Sequence, residues 1–241
     1  MVDTCIVTFC DFLGYSRIIL NNKGNQSALN SELDKLTSAI DEAEKFIKEN
    51  SFKYKFFTDN LVLSTQIRAH DKGEGPLGNI LGALAMYQLV IASHGYFVRG
   101  GIEAGYNFMD ERIVFGDALI TAHYLESQKA IYPRILVGPE LNSLIDEHKK
   151  WYGNRTQSMP HNDVLDFASK ELFIDYLNGA LSYCEDDTNA IHPLVKSHKK
   201  HIESNIKKFS NDPDVFPKYE WLRDYHNKFC KRIKAFNQLT I

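Results

Sequence analysis

Residues 5–16 read CIVTFCDFLGYS, and the fold is decided there. Residues 4–9 are rich in β-branched and aromatic side chains, as a buried strand requires. Asp11 closes the run and Gly14 marks a turn out of it. A helical region over 16–49 follows, with a break expected at 21–25. Its second part places Leu29, Leu33, Leu36, Ile40, Ala43 and Ile47 on one apolar face. Residues 53–57 and 61–67 are two strand-like runs joined by Thr58-Asp59-Asn60, which is hairpin chemistry. A polar loop over 68–76 leads into an apolar helix over 77–94, stopped by Gly95. Strands are expected at 96–104, 112–115 and 134–137, with a helix over 117–129. The order β, long α, β-hairpin, α, β, short β, α, β predicts an α+β fold. Its centre is a ferredoxin-like split βαβ unit, an antiparallel-rich sheet with helices on one face.

The pattern is more mixed from residue 139 onward. A strand is expected at 164–167 and helices at 171–181, 193–209 and 219–236. This divides the chain into a core over 1–140 and a mainly helical C-terminal extension over 141–241 that packs on it. No internal repeat is evident.

The chain has 241 residues, of which 44% are hydrophobic and 24% charged, enough to bury a core without disulfides. Cys5, Cys10, Cys184 and Cys230 are scattered with no C-x-x-C pair, which argues against a zinc module and a secreted disulfide scaffold. The first residues, MVDTCIVTFCDF, have no basic region and do not read as a signal peptide. The apolar stretch 77–94 is interrupted by Asn79 and Gln88 and bounded by Pro76 and Gly95. It reads as a buried helix rather than a membrane span. A soluble, cytoplasmic protein with no membrane partner is expected. Net charge is −3, but residues 191–241 hold 11 Lys/Arg against five Asp/Glu. Acidic residues interrupt this basic segment, so it reads as a solvated helix face rather than a nucleic-acid interface.

Two aspartates stand out by position. Asp11 ends the first strand before a tight turn, and Asp59 sits at the tip of the hairpin. In a split βαβ fold these strands are neighbours, so the carboxylates can converge at one sheet end. Two carboxylates and a backbone carbonyl, that of Phe12, suit hard cations such as Mg²⁺ that keep substrate phosphates as further ligands. Read alone, an aspartate in a hairpin is more often a turn former. Phe12, Leu13, Gly14, Tyr15 and Ser16 lie between strand and helix, where backbone N–H groups suit a triphosphate. Ser16 reads equally as a plain N-cap.

Four segments in order, CIVTFCDFLGYS, KFFTDNLVLS, FVRGGIEAG and FGDALITAHYLES, resemble the class III nucleotidyl cyclases across roughly residues 4–138. That family pairs an Asp-bearing first strand, a G-D hairpin, an R-x-G-I-x-x-G strand and a G-D-x-x-N-x-A-S-R-x-E helix. Within it, the F-x-D-x-L-G, R-G-G-I and F-G-x-A-L-x-x-A-x-x-L-E segments resemble the pyrimidine cyclases of bacterial Pycsar anti-phage defence. The C-terminal W-L-R-D-Y-H-N looks like theirs too. The resemblance implies that Asp11 and Asp59 bind two divalent cations, Mn²⁺ or Mg²⁺, and that Arg99 contacts the triphosphate. Lys55 matches a base-reading position. The family's transition-state Asn and Arg fall at Ile120 and Tyr124, and its adenine-reading Asp at Ile113, which counts against an ordinary adenylyl or guanylyl cyclase.

The resemblance therefore implies a homodimer with composite sites that converts UTP, less readily CTP, to the cyclic monophosphate and pyrophosphate. The product would signal to a separate effector. Phe57, Ile113 and Ile120 would line a small apolar base pocket. Lys55 would donate to a uracil carbonyl, and Tyr124 would meet ribose or phosphate or pack at a dimer seam. His123 is either near the site or solvated, and Asp117 begins or caps its helix. A catalytically silent nucleotide-binding module is the main alternative. A polymerase-like palm is disfavoured by the absence of a GGDD run.

Overall fold

A computed structural model describes residues 1–50, 52–68 and 72–241. Strand β1, Asp3–Phe12, is the centre of the sheet. Helix α1, Tyr15–Asn21, and helix α2, Gln26–Lys48, follow, separated at the expected break. Asn25 caps α2 by accepting from Ala28 N at 3.0 Å. Strands β2, Lys53–Phe57, and β3, Asn60–Gln66, form the hairpin. Helix α3, Glu74–Ser93, leads to β4, Val98–Met109, the short β5, Val114–Gly116, and helix α4, Asp117–Tyr124. A π turn, Leu125–Lys129, and strand β6, Ile135–Val137, complete this part. Residues 69–71 of the expected polar loop lie outside the described residues.

The sheet runs β2-β3-β1-β4-β5, with β6 pairing β4 in parallel at the opposite end from β5. Its first four strands have the expected split βαβ order. Register puts Asp11 opposite Arg99 and Cys10 opposite Leu61. The expectation of helices on one face is corrected. Ile6, Cys10, Phe12, Leu61 and Leu63 pack with α2 and α3, whereas Cys5, Val7, Phe9 and Val62 pack with Ala118 and Ala122 of α4. Period-2 alternation sends both sets inward because both faces are covered. The helix α4 is short and the only side chains it fully buries against the sheet are two alanines, so its apolar signal is weak.

Helix α3 is the apolar helix read from the sequence. It is long and apolar enough to cross a membrane, yet 83% of that stretch is buried inside the protein. Fourteen of its residues are buried, on all sides, as a core helix requires. The sheet and α2 cover part of it, and the C-terminal helices cover the rest.

Those helices are α5, Pro139–Tyr152, α6, Tyr176–Tyr183, α7, Thr188–Lys208, and α8, Phe216–Arg232. The sequence reading did not delimit α5. Its N-terminus is held by Glu103, buried in β4, whose Oε1 accepts from Leu141 N at 2.7 Å and Ala104 N at 2.8 Å. Residues 164–167 do not form a strand. Val164 ends a 3-10 turn and only Leu165 bridges, to Ile174. Residues 171–174 are extended rather than helical, because Phe173 and Ile174 each make a bridge to a neighbouring strand segment. Helix α7 begins five residues before Pro193, capped by Asp187, which accepts from Asn189 N at 2.9 Å. Helix α8 begins at Phe216, three residues earlier than expected, with a proline in its first turn.

Candidate functional site

The loop after β1 is built around Gly14, whose φ of 74° is the left-handed conformation that suits glycine. Gly14, not Ser16, is the N-cap of α1, and no side chain caps this helix. Phe12 and Tyr15 point away from the α4 face into the core. Phe12 stacks on Tyr96 at 5.5 Å and meets Tyr15 edge-on at 6.3 Å. Only their backbone groups are therefore open to a ligand. The Leu13 N–H donates to Phe97 O at 2.7 Å, which takes it out of any anion cradle.

Alternation puts the odd residues of β1 on the α4 face, and with them Asp11. The Asp59 carboxyl, at the hairpin tip, comes close enough to Asp11 for the two to share a proton. Arg99 lies across the β1–β4 pairing, and its Nε and Nη2 donate to Asp11 Oδ2 at 3.2 and 3.1 Å. The structure thus brings Asp11, Asp59 and Arg99 together. Burial, the hydrogen bond to Asp59 and the Asp59 charge push Asp11 up to about 7, against the opposing pull of Arg99.

A fourth group, not singled out in the sequence, completes the cluster. Glu126 is buried in the π turn after α4, and its Oε1 lies 2.8 Å from Arg99 Nη2, an ion pair by distance rather than an aligned hydrogen bond. Burial raises its carboxyl above the usual range, opposed first by Arg99. Gly101 allows this approach. A Cβ there would stand 2.3 Å from Ala122 O and 2.5 Å from Leu125 Cβ. The signal was present as the R-G-G of β4 and the Glu of HYLES, but the contact depends on a π turn that local patterning does not announce.

The remaining predicted residues spread along the same face. Lys55 pairs with Val62 and Phe57 with Asn60, so both side chains lie on the α4 side. Phe57 meets Phe9 edge-on at 6.1 Å, and Phe9 meets His123 at 4.9 Å. Lys55 lines an open groove with Asp110 and Arg112 of the β4–β5 turn. Asp117 begins α4, and its Oδ1 accepts from Tyr106 N at 2.7 Å. Ile120 and Tyr124 share the outward side of α4, 71% and 49% exposed, while Ile113 and Phe57 are 54% and 48% exposed. They therefore form no closed base pocket within one chain.

The donor set suits a hard divalent cation. Two carboxylates crowd closely enough that one holds a proton near neutral pH, a place a cation would take instead. Among the described residues, no three His, Cys, Asp or Glu side chains are grouped to hold an ion by themselves. The carboxylate pair would need the Phe12 carbonyl and ligand oxygens to complete coordination.

No protein-family model matches the chain, and no curated protein does. Among solved structures, it is similar to the adenylyl cyclase CyaB from P. aeruginosa at 21% identity, over 61% of this chain and 82% of that one, with a TM-score of 0.44. It is also similar to the dimeric guanylyl cyclase domain of the RhoGC fusion protein from Blastocladiella emersonii, at 15% identity over 61% and 86% of the two chains, TM-score 0.44. A class III adenylyl cyclase-like ATP-binding protein from Pseudomonas aeruginosa matches at 13% identity and a TM-score of 0.50, over 88% of this chain and 44% of that one. The likeness is one of fold: the chain carries an α+β core of the class III cyclase type.

Proposed function

We propose that this chain is a divalent-cation-dependent nucleotidyl cyclase that forms 3′,5′-cyclic UMP and pyrophosphate from UTP, with CTP a poorer substrate. The observation that carries this reading is the Asp11–Asp59 carboxyl pair beside Arg99 at the end of β1. Asp11, Asp59 and the Phe12 carbonyl would hold two ions, Mn²⁺ or Mg²⁺. Those ions would lower the pKa of the ribose 3′-hydroxyl and offset charge on the departing pyrophosphate.

The chain's own groups would bind and orient. Arg99 would hold the polyphosphate, so that the 3′-hydroxyl faces the α-phosphorus in line with the leaving group. Residues 14–16 would lend backbone amides. Lys55 would donate to a uracil carbonyl, a role that the cytosine amino group cannot meet. Phe57, Ile113 and Ile120 would leave purine exocyclic groups unpaired, which costs on the order of 1–3 kcal/mol per buried group.

The exposed Phe57, Ile113, Ile120 and Tyr124 support a homodimer. In it, α4 of one copy would close the site of the other, bringing Tyr124 to the nucleotide. Residues 1–140 would be the catalytic core and 141–241 its helical buttress, in a cytoplasmic enzyme. The cyclic product would act through a separate sensing effector in anti-phage defence. The purified chain should be incubated with each of the four nucleoside triphosphates and Mn²⁺, and products identified by mass. Cyclic UMP as the main product is expected. Cyclic AMP or cyclic GMP would overturn the base assignment, and no product from any triphosphate would favour a silent nucleotide-binding module.

A further inference from the structure

Arg99 is held from two sides. Asp11 Oδ2 takes its Nε and Nη2, and Glu126 Oε1 lies 2.8 Å from the same Nη2. The two anchors differ in what surrounds them. The Asp11 side chain is 19% exposed and is shared with Asp59, whereas Glu126 is 5% exposed. Glu126 also sits in a π turn fixed against the sheet by the missing side chain of Gly101. One anchor faces the proposed cation position; the other is part of the scaffold.

We propose that Glu126 is a positioning residue that retains Arg99 at the site when a cation takes Asp11 from it. This rests on the cyclase reading above. Without a cation, the guanidinium serves as an internal counter-ion to Asp11. A divalent ion on Asp11 repels that guanidinium and competes for the same oxygen. The ion pair with Glu126 then keeps Arg99 from swinging into solvent, and the edge released by Asp11 turns to the polyphosphate. A long, free arginine would have to be ordered again at each binding event, at a cost in side-chain entropy. A buried partner settles that cost within the fold.

The test is equilibrium binding of 3′-deoxy-UTP, which lacks the cyclising hydroxyl, in the presence of Mn²⁺, with Mn²⁺ alone followed by electron paramagnetic resonance. Glu126→Gln should raise the Kd for 3′-deoxy-UTP about tenfold, and Glu126→Asp, which keeps the charge but withdraws it, by a smaller factor. In an Arg99→Gln background, Glu126→Gln should change nucleotide binding by less than about twofold, because the residue it positions is gone. Measured above the pH at which Asp11 loses its proton, so that proton competition is removed, Arg99→Gln alone should tighten binding of Mn²⁺ without nucleotide, since the resident cation no longer competes. An unchanged Kd in Glu126→Gln, or an equal loss with and without Arg99, would overturn the inference. If the wild-type chain bound 3′-deoxy-UTP under no condition, the cyclase reading would fall instead. If Glu126→Gln did not fold, Glu126→Asp in both backgrounds would decide the matter by the same comparison.

Discussion

The two faces of the central sheet are covered very differently. On one side, α2 and α3 lie over Ile6, Cys10, Leu61 and Leu63, and α3 is itself enclosed by α6 and α7. On the other, the eight residues of α4 bury only Ala118 and Ala122 against the sheet, with Leu119 partly buried and His123 beside Phe9, and Ile120 and Tyr124 face outward. Asp11, Asp59, Arg99 and Lys55 are all on this second, thinly covered side. A sheet face sealed by apolar helices holds the strands rigid. The open face can then afford crowded carboxylates and exposed apolar side chains, whose strain would be tolerated only on a stable platform.

Substitutions can set the two faces against each other. The largest effect is expected for Asp59→Asn, which removes one carboxylate from the proposed cation site. Cyclase activity should fall by about two to three orders of magnitude, while the thermal midpoint stays the same or rises because carboxylate crowding is relieved. Wild-type turnover by this variant would remove the metal assignment. On the sealed face, Leu84→Ala should cost about 2–5 kcal/mol of stability, measured by denaturant unfolding. It should leave the activity of the remaining folded protein nearly unchanged. A loss of activity without a loss of stability would mean that the two faces are not separable.

The open face should also carry a pH dependence of its own. Asp11 is pushed from an ordinary 3.8 up to about 7, so the folded, cation-free protein keeps a proton there that the unfolded chain releases near pH 4. This contribution to stability is fully present below about pH 4 and is lost as pH rises through about 7. Mn²⁺ must displace that proton, so its affinity should fall by up to about tenfold for each pH unit below 7 and level off above it. Titration calorimetry in buffers of different ionisation enthalpy should record about one proton released per chain near pH 6. A pH-independent affinity between pH 5 and 8 would mean that Asp11 is not a ligand. The smallest effect on stability is expected for Ile120→Asp, within about 0.5 kcal/mol, because the side chain it replaces is 71% exposed.

Much of this was legible from the sequence, and what was not has physical causes. The hairpin, the break between α1 and α2 and the enclosed α3 are local patterns, and the antiparallel neighbours of β1 follow from their order. That order also sufficed to bring Asp11 and Asp59 to one sheet end, whereas Arg99 was placed with them only by the resemblance of its R-G-G-I strand to the cyclase motif. The cover on the second face was missed because two alanines in a short helix carry little periodic signal. Helix α5 was missed because its start depends on Glu103 from a distant strand. Glu126 escaped notice because its role needs the π turn and the close approach at Gly101, neither of which is a property of one segment. The extended run 171–174 was read as helix because its pairing partners, Leu136 and Leu165, lie elsewhere in the chain.

On the function proposed above, the open face works only when a second copy covers it. This requirement is tested most directly by measuring cyclase activity per chain across a wide range of protein concentration, with sedimentation velocity on the same samples. Activity per chain should rise in step with the dimer fraction, and Ile120→Asp should shift both curves together to higher concentration. Full activity per chain in samples that sediment as monomers would contradict the account.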